Sequence, residues 1–209
     1  GAQATEAADD RNRGAERLYG WDTAEVLNQR LDELIYANPD AQRFSEILRQ
    51  LQERPQSVMD FGCGTGSASP FLLDLIGVEF VLGVDISAKS LEVAKRTYDS
   101  ARTQFLLVSQ YQPSERIDLA FCNGVFHHIP PDGIGTQSSL AERTAAVNYV
   151  YRSLRPGGLF AFWENNPWNP GTRYIMRRVP FDSDSIPLTP PEARHLLQLR
   201  FLVRALRSV

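Results

Sequence analysis

An α/β fold, with a doubly wound, mostly parallel sheet and helices on both faces, is predicted by three features of this sequence. Short apolar runs lack the alternation of a strand with one wet face, so both faces of each run are expected to be covered. Each run is followed by a stretch of helical apolar period, the order that builds a parallel sheet. The first strand-to-helix turn reads Gly62-Cys63-Gly64-Thr65-Gly66, and open α/β sheets bind ligands at such turns, beyond the carboxyl ends of the strands.

The elements follow in order. Residues 1–20, rich in Ala, Asp, Arg and Asn, read as a flexible leader or lid, and 21–209 as a single domain. From Asp22 to about Ala37, Val26, Leu27, Leu31, Leu34 and Ile35 fall at helical spacing behind Asp22 or Thr23 as a cap. Asn38-Pro39-Asp40 interrupts this period, Ala41–Leu51 resumes it, and Pro55 ends it. Strands are predicted at Ser57–Phe61, Glu79–Val84, Gln104–Val108, Ile117–Cys122 and Gly158–Trp163, and helices at Ser69–Ile76, Ala88–Tyr98 and Ala141–Leu154. Asp132–Leu140 reads as a flexible insertion without an assigned role. The tail from Glu192 fits one helix or a helix plus a strand.

Composition narrows the function classes. Of 209 residues, 43% are hydrophobic, enough for one sizeable core. A net charge of -3 supplies no basic field for nucleic acid or anionic lipid. Cys63 and Cys122 are too few for a disulfide framework, which favours a reducing compartment. No apolar run reaches membrane-spanning length, and the amino-terminal stretch has no signal-peptide core. A cytoplasmic protein with a small-molecule partner is expected, without nucleic acid or membrane.

Three nucleotide-site patterns compete for the glycines. A phosphate-cradling loop needs Gly-Lys-Ser/Thr at its end, but Gly66 is followed by Ser67-Ala68. The dinucleotide fingerprint needs a third glycine where Ser67 stands. The third pattern, an acidic residue ahead of G-x-G-x-G, is met in full by "DFGCGTG", Asp60 to Gly66. Here the chain resembles the class I S-adenosylmethionine-dependent methyltransferases, and the likeness extends from Ser57 to about Trp163. A Rossmann-like fold, S-adenosylmethionine as cofactor and S-adenosylhomocysteine as product follow from that resemblance.

The resemblance implies a cofactor site residue by residue. "VLGVDIS" ends the second strand with Asp85, where the family places the carboxylate for the ribose hydroxyls, and Ile86 follows it. One carboxylate accepting from two adjacent hydroxyls is sound chemistry in its own right. "CNGVFHHIP" puts Asn123, Gly124 and Val125 beside the methionine part of the cofactor. Where the family often has an acidic residue for the adenine amino group, this chain has Ser109-Gln110, with Gln110 accepting through its amide oxygen. Asp60, Gly62, Cys63, Gly64 and Gly66 form the turn, and Tyr19, with Trp21, folds over as a lid or packs on the domain edge. Asp60 either orders the turn or touches the cofactor. "LRPGGLFAFWE" matches the family's helix-to-strand turn, with Gly157-Gly158 reversing the chain. The family's two final antiparallel strands have little chain left to form them, so that part of the sheet is expected to be incomplete.

Transfer from a sulfonium needs no metal, because a neutral thioether leaves. A hydroxyl acceptor needs a base, whereas an amine needs little beyond orientation. His128 is the candidate base, with Glu164 at the end of the fifth strand as a second catalytic candidate that either meets substrate or simply caps the following loop, and His127 facing substrate or packing under the loop. Residues 165–194 read as a substrate-facing loop region in which Trp168, Arg173, Tyr174, Arg177 and Arg178 receive a flat or anionic molecule, or else form a solvated basic face on a short helix. Cys63 and Cys122 read as core residues and His195 as structural. Asn166-Pro167-Trp168 is similar to the N-P-P-aromatic motif of enzymes that methylate base or glutamine amino groups, but it stands after the wrong strand. The function expected is methyl transfer to O or N of a small molecule, a natural product or a sugar. Its rivals are a protein or RNA methyltransferase, or a non-catalytic cofactor-binding or interaction domain of the same fold.

Overall fold

The computed structural model describes residues 54–74, 77–129, 136–178, 185–198 and 200–201. The helices predicted at 22–37 and 41–51, and the lid residues Tyr19 and Trp21, lie outside the described residues. The chain passes through β1 (Ser57–Phe61), α1 (Ser69–Asp74), β2 (Phe80–Asp85), α2 (Ala88–Tyr98), β3 (Thr103–Leu107) and β4 (Ile117–Asn123). It continues with a 3₁₀ turn (Phe126–His128), α3 (Thr136–Ser153), β5 (Leu154–Trp163), α4 (Pro170–Met176) and α5 (Pro190–Gln198). The strands form one sheet in the order β3-β2-β1-β4-β5, with every pairing parallel. The winding reverses between β1 and β4, which places the turn after β1 where such sheets bind ligands. This is a Rossmann-like α/β sheet.

Alternating residues pack on opposite faces. Met59, Leu82, Val84 and Ala120 join Val147 and Val150 of α3 and Leu196 and Leu197 of α5 in one cluster. On the other face Phe105 lies over Gly83, where a Cβ would come within 2.5 Å of its ring. There it packs with Cys63 and with Leu91 and Ala94 of α2. α2 is well terminated: Ser87 Oγ accepts from Ser90 N at 3.2 Å, and Lys95 and Arg96 sit in the last turn, where the helix dipole favours cations. α5 begins with a capping box, Thr189 N donating to Glu192 Oε2 at 2.7 Å and Glu192 N to Thr189 Oγ1 at 3.4 Å.

Two expectations change. α3 begins at Thr136, so the second half of the expected insertion is helix; its Thr-Gln-Ser-Ser start carries no apolar period to reveal it. Gly157-Gly158 do not lie in a turn before β5. They lie inside it, in an irregularity where β4 advances from 117 to 119 while β5 advances from 154 to 159, with Gly157 at a φ of 80°. Among the described residues after β5 there are two helices, α4 and α5, and no antiparallel strand.

Asp118 ties this end of the sheet together. Its carboxylate accepts from Gln56 N (2.9 Å), Ser57 N (2.8 Å), Ser57 Oγ (2.9 Å) and Arg155 Nε (2.5 Å), linking β1, β4 and the irregular part of β5. Burial pushes its pKa up, but the bonds from Arg155, Ser57 and Gln56 outweigh that and hold it below the ordinary 3.8. Replacing Asp118 with Ala is expected to cost roughly 1–3 kcal/mol of stability, because several donors lose their acceptor. A depressed native pKa stabilises above the unfolded value and loses that contribution as pH falls through the native one. Urea unfolding should therefore show the full difference at pH 7 and a reduced one near pH 3.

Candidate functional site

The turn after β1 is laced to β2. Gly62 N and Cys63 N both donate to Val84 O, at 2.8 and 3.1 Å. Asp85 then reaches across: Oδ2 accepts from Gly64 N at 2.8 Å and Oδ1 from Ser87 N at 2.7 Å. A carboxylate has about four acceptor positions, so these two bonds leave capacity for further donors.

Two glycines of the turn do different work. Gly62 has a φ of 75°, and a Cβ there would lie 2.4 Å from Val125 Cγ2, so its bare backbone lets the loop after β4 approach. Gly64 has a φ of 53°, and nothing among the described residues stands within 4 Å of where its Cβ would be. Its main chain forms a ledge open on that side. At the end of β1, Asp60 is only 3% exposed, and its Oδ2 has no hydrogen-bond partner among the described residues. Burial first, and the charge of Asp85 second, raise its pKa to about 7.

At the edge of the same region Ile86 is 87% exposed. Ser109 and Gln110 are exposed beyond β3. The amide oxygen of Gln110, expected to face adenine, accepts from Leu107 N at 3.1 Å instead. Its amide N–H₂ is therefore the better-placed polar group.

The loop after β4 gathers round Glu164. Asn123 is exposed, and Gly124 N donates to Trp163 O at 2.9 Å. Glu164 Oε1 accepts from Val125 N at 2.8 Å and Phe126 N at 2.6 Å. Its Oε2 accepts from His127 N at 3.3 Å and lies 2.7 Å from His127 Nδ1. Glu164 is therefore not a free acid or base for chemistry, because its acceptor positions are filled by the loop. His127 does not face a substrate either: it is 3% exposed and bound to that carboxylate. His128 is half-buried, its ring centroid 4.0 Å from that of His127.

The remaining predicted residues lie farther along the chain. Asn169 caps α4 through Gly171 N at 2.9 Å, with Pro170 in the first helical position. Trp168 is 61% and Tyr174 57% exposed, Arg173 and Arg177 are exposed, and the Arg178 guanidinium lies 4.1 Å from the Tyr174 ring centre. Burial and nearby carboxylates hold the thiols of Cys63 and Cys122 far above their ordinary range, consistent with packing roles. His195 is exposed, so it is not part of the core face formed by Ala193, Leu196 and Leu197.

Sequence reasoning passed over Arg143, which is 8% exposed and donates from Nη2 to Ile186 O at 2.5 Å. A signal was available: Arg143 stands four residues before Val147 and seven before Val150, a charge on the apolar stripe of α3.

The family model described as "Methyltransferase domain" matches residues 59–160, from the middle of β1 into β5. This match, the relatives below and the fold support a class I S-adenosylmethionine-dependent methyltransferase. A trans-aconitate 2-methyltransferase of Methylobacterium nodulans is 28% identical over 160 residues, 76% of this chain and 55% of that protein. An O-methyltransferase of Aspergillus sclerotiorum is 34% identical over 109 residues, 51% of this chain and 38% of that one. The chain spans about half the length of the curated relatives it matches. A methyltransferase of Archaeoglobus fulgidus shares the fold, with a TM-score of 0.58 at 17% identity over 80% of this chain and 67% of that one.

S-adenosylmethionine is the cofactor of this methyltransferase family, and the residues present suit it. Nothing among the described residues fills the space beside Gly64, Asp85 keeps acceptor capacity for hydroxyls, and Asp60 at the end of β1 has a buried oxygen without a partner among the described residues.

The raised Asp60 pKa has a measurable consequence. Between the ordinary 3.8 and about 7 the native state keeps a proton that the unfolded chain has lost, so stability declines with rising pH across that window. Asp60→Asn abolishes this titration. Its thermal midpoint relative to wild type is expected to rise progressively from pH 4 to pH 7 and then level off; a difference independent of pH would contradict the burial of that carboxyl.

Proposed function

We propose that this methyltransferase domain transfers the methyl group of S-adenosylmethionine to an oxygen atom of an anionic small molecule. The observation that carries this reading is the open main-chain ledge at Gly64, held by Asp85. Bound there, the cofactor supplies a methyl on a positively charged sulfur that departs as a neutral thioether. The protein's part is then alignment and exclusion of water.

Each residue has a part in this scheme. Asp85 takes the ribose hydroxyls on its remaining acceptor positions, and Ile86 gives the base an apolar cover. Ser109 and the Gln110 amide N–H₂ meet the polar edge of the base. The main chain of Gly62, Cys63, Gly64 and Gly66 and the loop Asn123–Val125 take the amino-acid end. Oxygen is favoured as acceptor because the matched relatives include trans-aconitate 2-methyltransferases and O-methyltransferases by name. An anionic acceptor is favoured by the exposed Arg173 and Arg177, which with Trp168 and Tyr174 follow β5. His128 removes the proton from a hydroxyl acceptor; a carboxylate acceptor has none to remove.

Calorimetry with S-adenosylhomocysteine tests the binding half, and release of that product in the presence of trans-aconitate or a phenolic acid tests the transfer. Asp85→Ala is expected to weaken S-adenosylhomocysteine at least about tenfold, since charge-assisted hydrogen bonds are lost. His128→Ala should slow transfer to a hydroxyl about a hundredfold and leave transfer to a carboxylate nearly unchanged. Absence of measurable S-adenosylhomocysteine binding by the wild-type protein would defeat this reading.

A further inference from the structure

We propose that Glu164 is the positioning residue of the acceptor side, setting the His128 ring through His127; this rests on the methyl-transfer reading above. One carboxylate receives three successive loop N–H groups and a histidine ring nitrogen. That many donors fill its capacity, so it acts on the loop and has none left for an acceptor molecule. Three consecutive N–H groups converging on one carboxylate form a nest at the start of the 3₁₀ turn, a concavity suited to an anion.

His127 is gripped on three sides. Its Nδ1 and its main-chain N–H meet Glu164. Its main-chain carbonyl accepts from Ile186 N at 2.9 Å, and the Ile186 carbonyl accepts from the buried Arg143. Because a carboxylate only accepts, His127 carries its hydrogen on Nδ1. Burial works against the charge of Arg143, and the negative charge of Glu164, ahead of that of Glu192, favours it. The ring of His128 rests against a neighbour fixed in this way, with centroids 4.0 Å apart and planes inclined by 44°. The orientation of the proposed base therefore depends on a group that never touches the acceptor.

Glu164→Gln separates this role from simple support. The variant keeps an oxygen for Val125 N and Phe126 N but turns an N–H₂ donor toward His127 N and Nδ1. In a protein labelled with ¹⁵N-histidine, His127 is expected to move its hydrogen to Nε2, and the ring signals of His128 to shift with it. Transfer to the hydroxyl acceptor should lose at least about tenfold in kcat, the scale of a misplaced reacting group. Affinity for S-adenosylhomocysteine should change less than about threefold, because the loop bonds to Oε1 survive. In a His127→Phe background, which keeps a flat ring beside His128, Glu164→Gln should have little additional effect on kcat. Unshifted His128 signals in Glu164→Gln would overturn the proposal, as would a changed His127 tautomer with kcat intact. A parallel fall in kcat, cofactor affinity and thermal midpoint would overturn it too, assigning Glu164 to folding alone. If the wild type transfers to no acceptor, the proposed function fails while the histidine signals still decide this one.

Discussion

The site depends on one carboxylate, Asp85, bonded at once to Gly64 N and Ser87 N. Those two donors belong to different segments: the turn leaving β1 and the residue capping α2. Hydrogen bonds to an ionised acceptor are roughly twice as strong as neutral ones, so the end of β2 anchors both neighbours. The Gly64 main chain is held by Asp85 rather than by a side chain of its own. Asp60 is buried, and that burial together with the charge of Asp85 raises its pKa to about 7. A carboxyl held in this way favours a nearby cation over a further anion.

A second carboxylate does the corresponding work at the neighbouring strands. Glu164, at the end of β5, organises the loop that leaves β4, and Val125 of that loop packs against Gly62 of the turn after β1. The turn after β1 and the loop after β4 are thus joined by side-chain contact as well as by the sheet. Preorganisation of this kind is what displacement at a methyl group asks of a protein: geometry rather than acid or metal assistance. The exposed aromatic and basic residues around α4 differ in character. They are held by a local cap and a cation–π contact rather than by packing in the core.

Much of this was legible from residue order alone. Strand β1 and helix α2 fall where apolar period and capping residues put them, because each depends on local spacing and on Ser87 or Pro55 nearby. The start of α3 was not legible, since Thr136 to Ser139 carry no apolar period. Their helix is an extension of the later turns, which Val147 and Val150 bury against the sheet. The irregularity in β5 was missed for a different reason. A glycine pair marks a place where the chain can bend, but whether it turns or bulges is decided by pairing with β4 and by the Asp118–Arg155 bond.

The sequence by itself determined the succession of strands and helices and the glycine turn after β1, because these depend on periodicity and on a motif contiguous along the chain. It marked Asp85 only through the family resemblance, as a ribose carboxylate, and the bonds of Asp85 to Gly64 and Ser87 came with the fold. Only the tertiary structure decided what Glu164, His127 and Arg143 do. Their partners lie 37 to 43 residues away, across strands and helices that meet only in the folded molecule. A glutamate at a strand end reads the same whether it faces a ligand or a neighbouring loop. The difference lies in which donors converge on it, and that convergence is a property of packing.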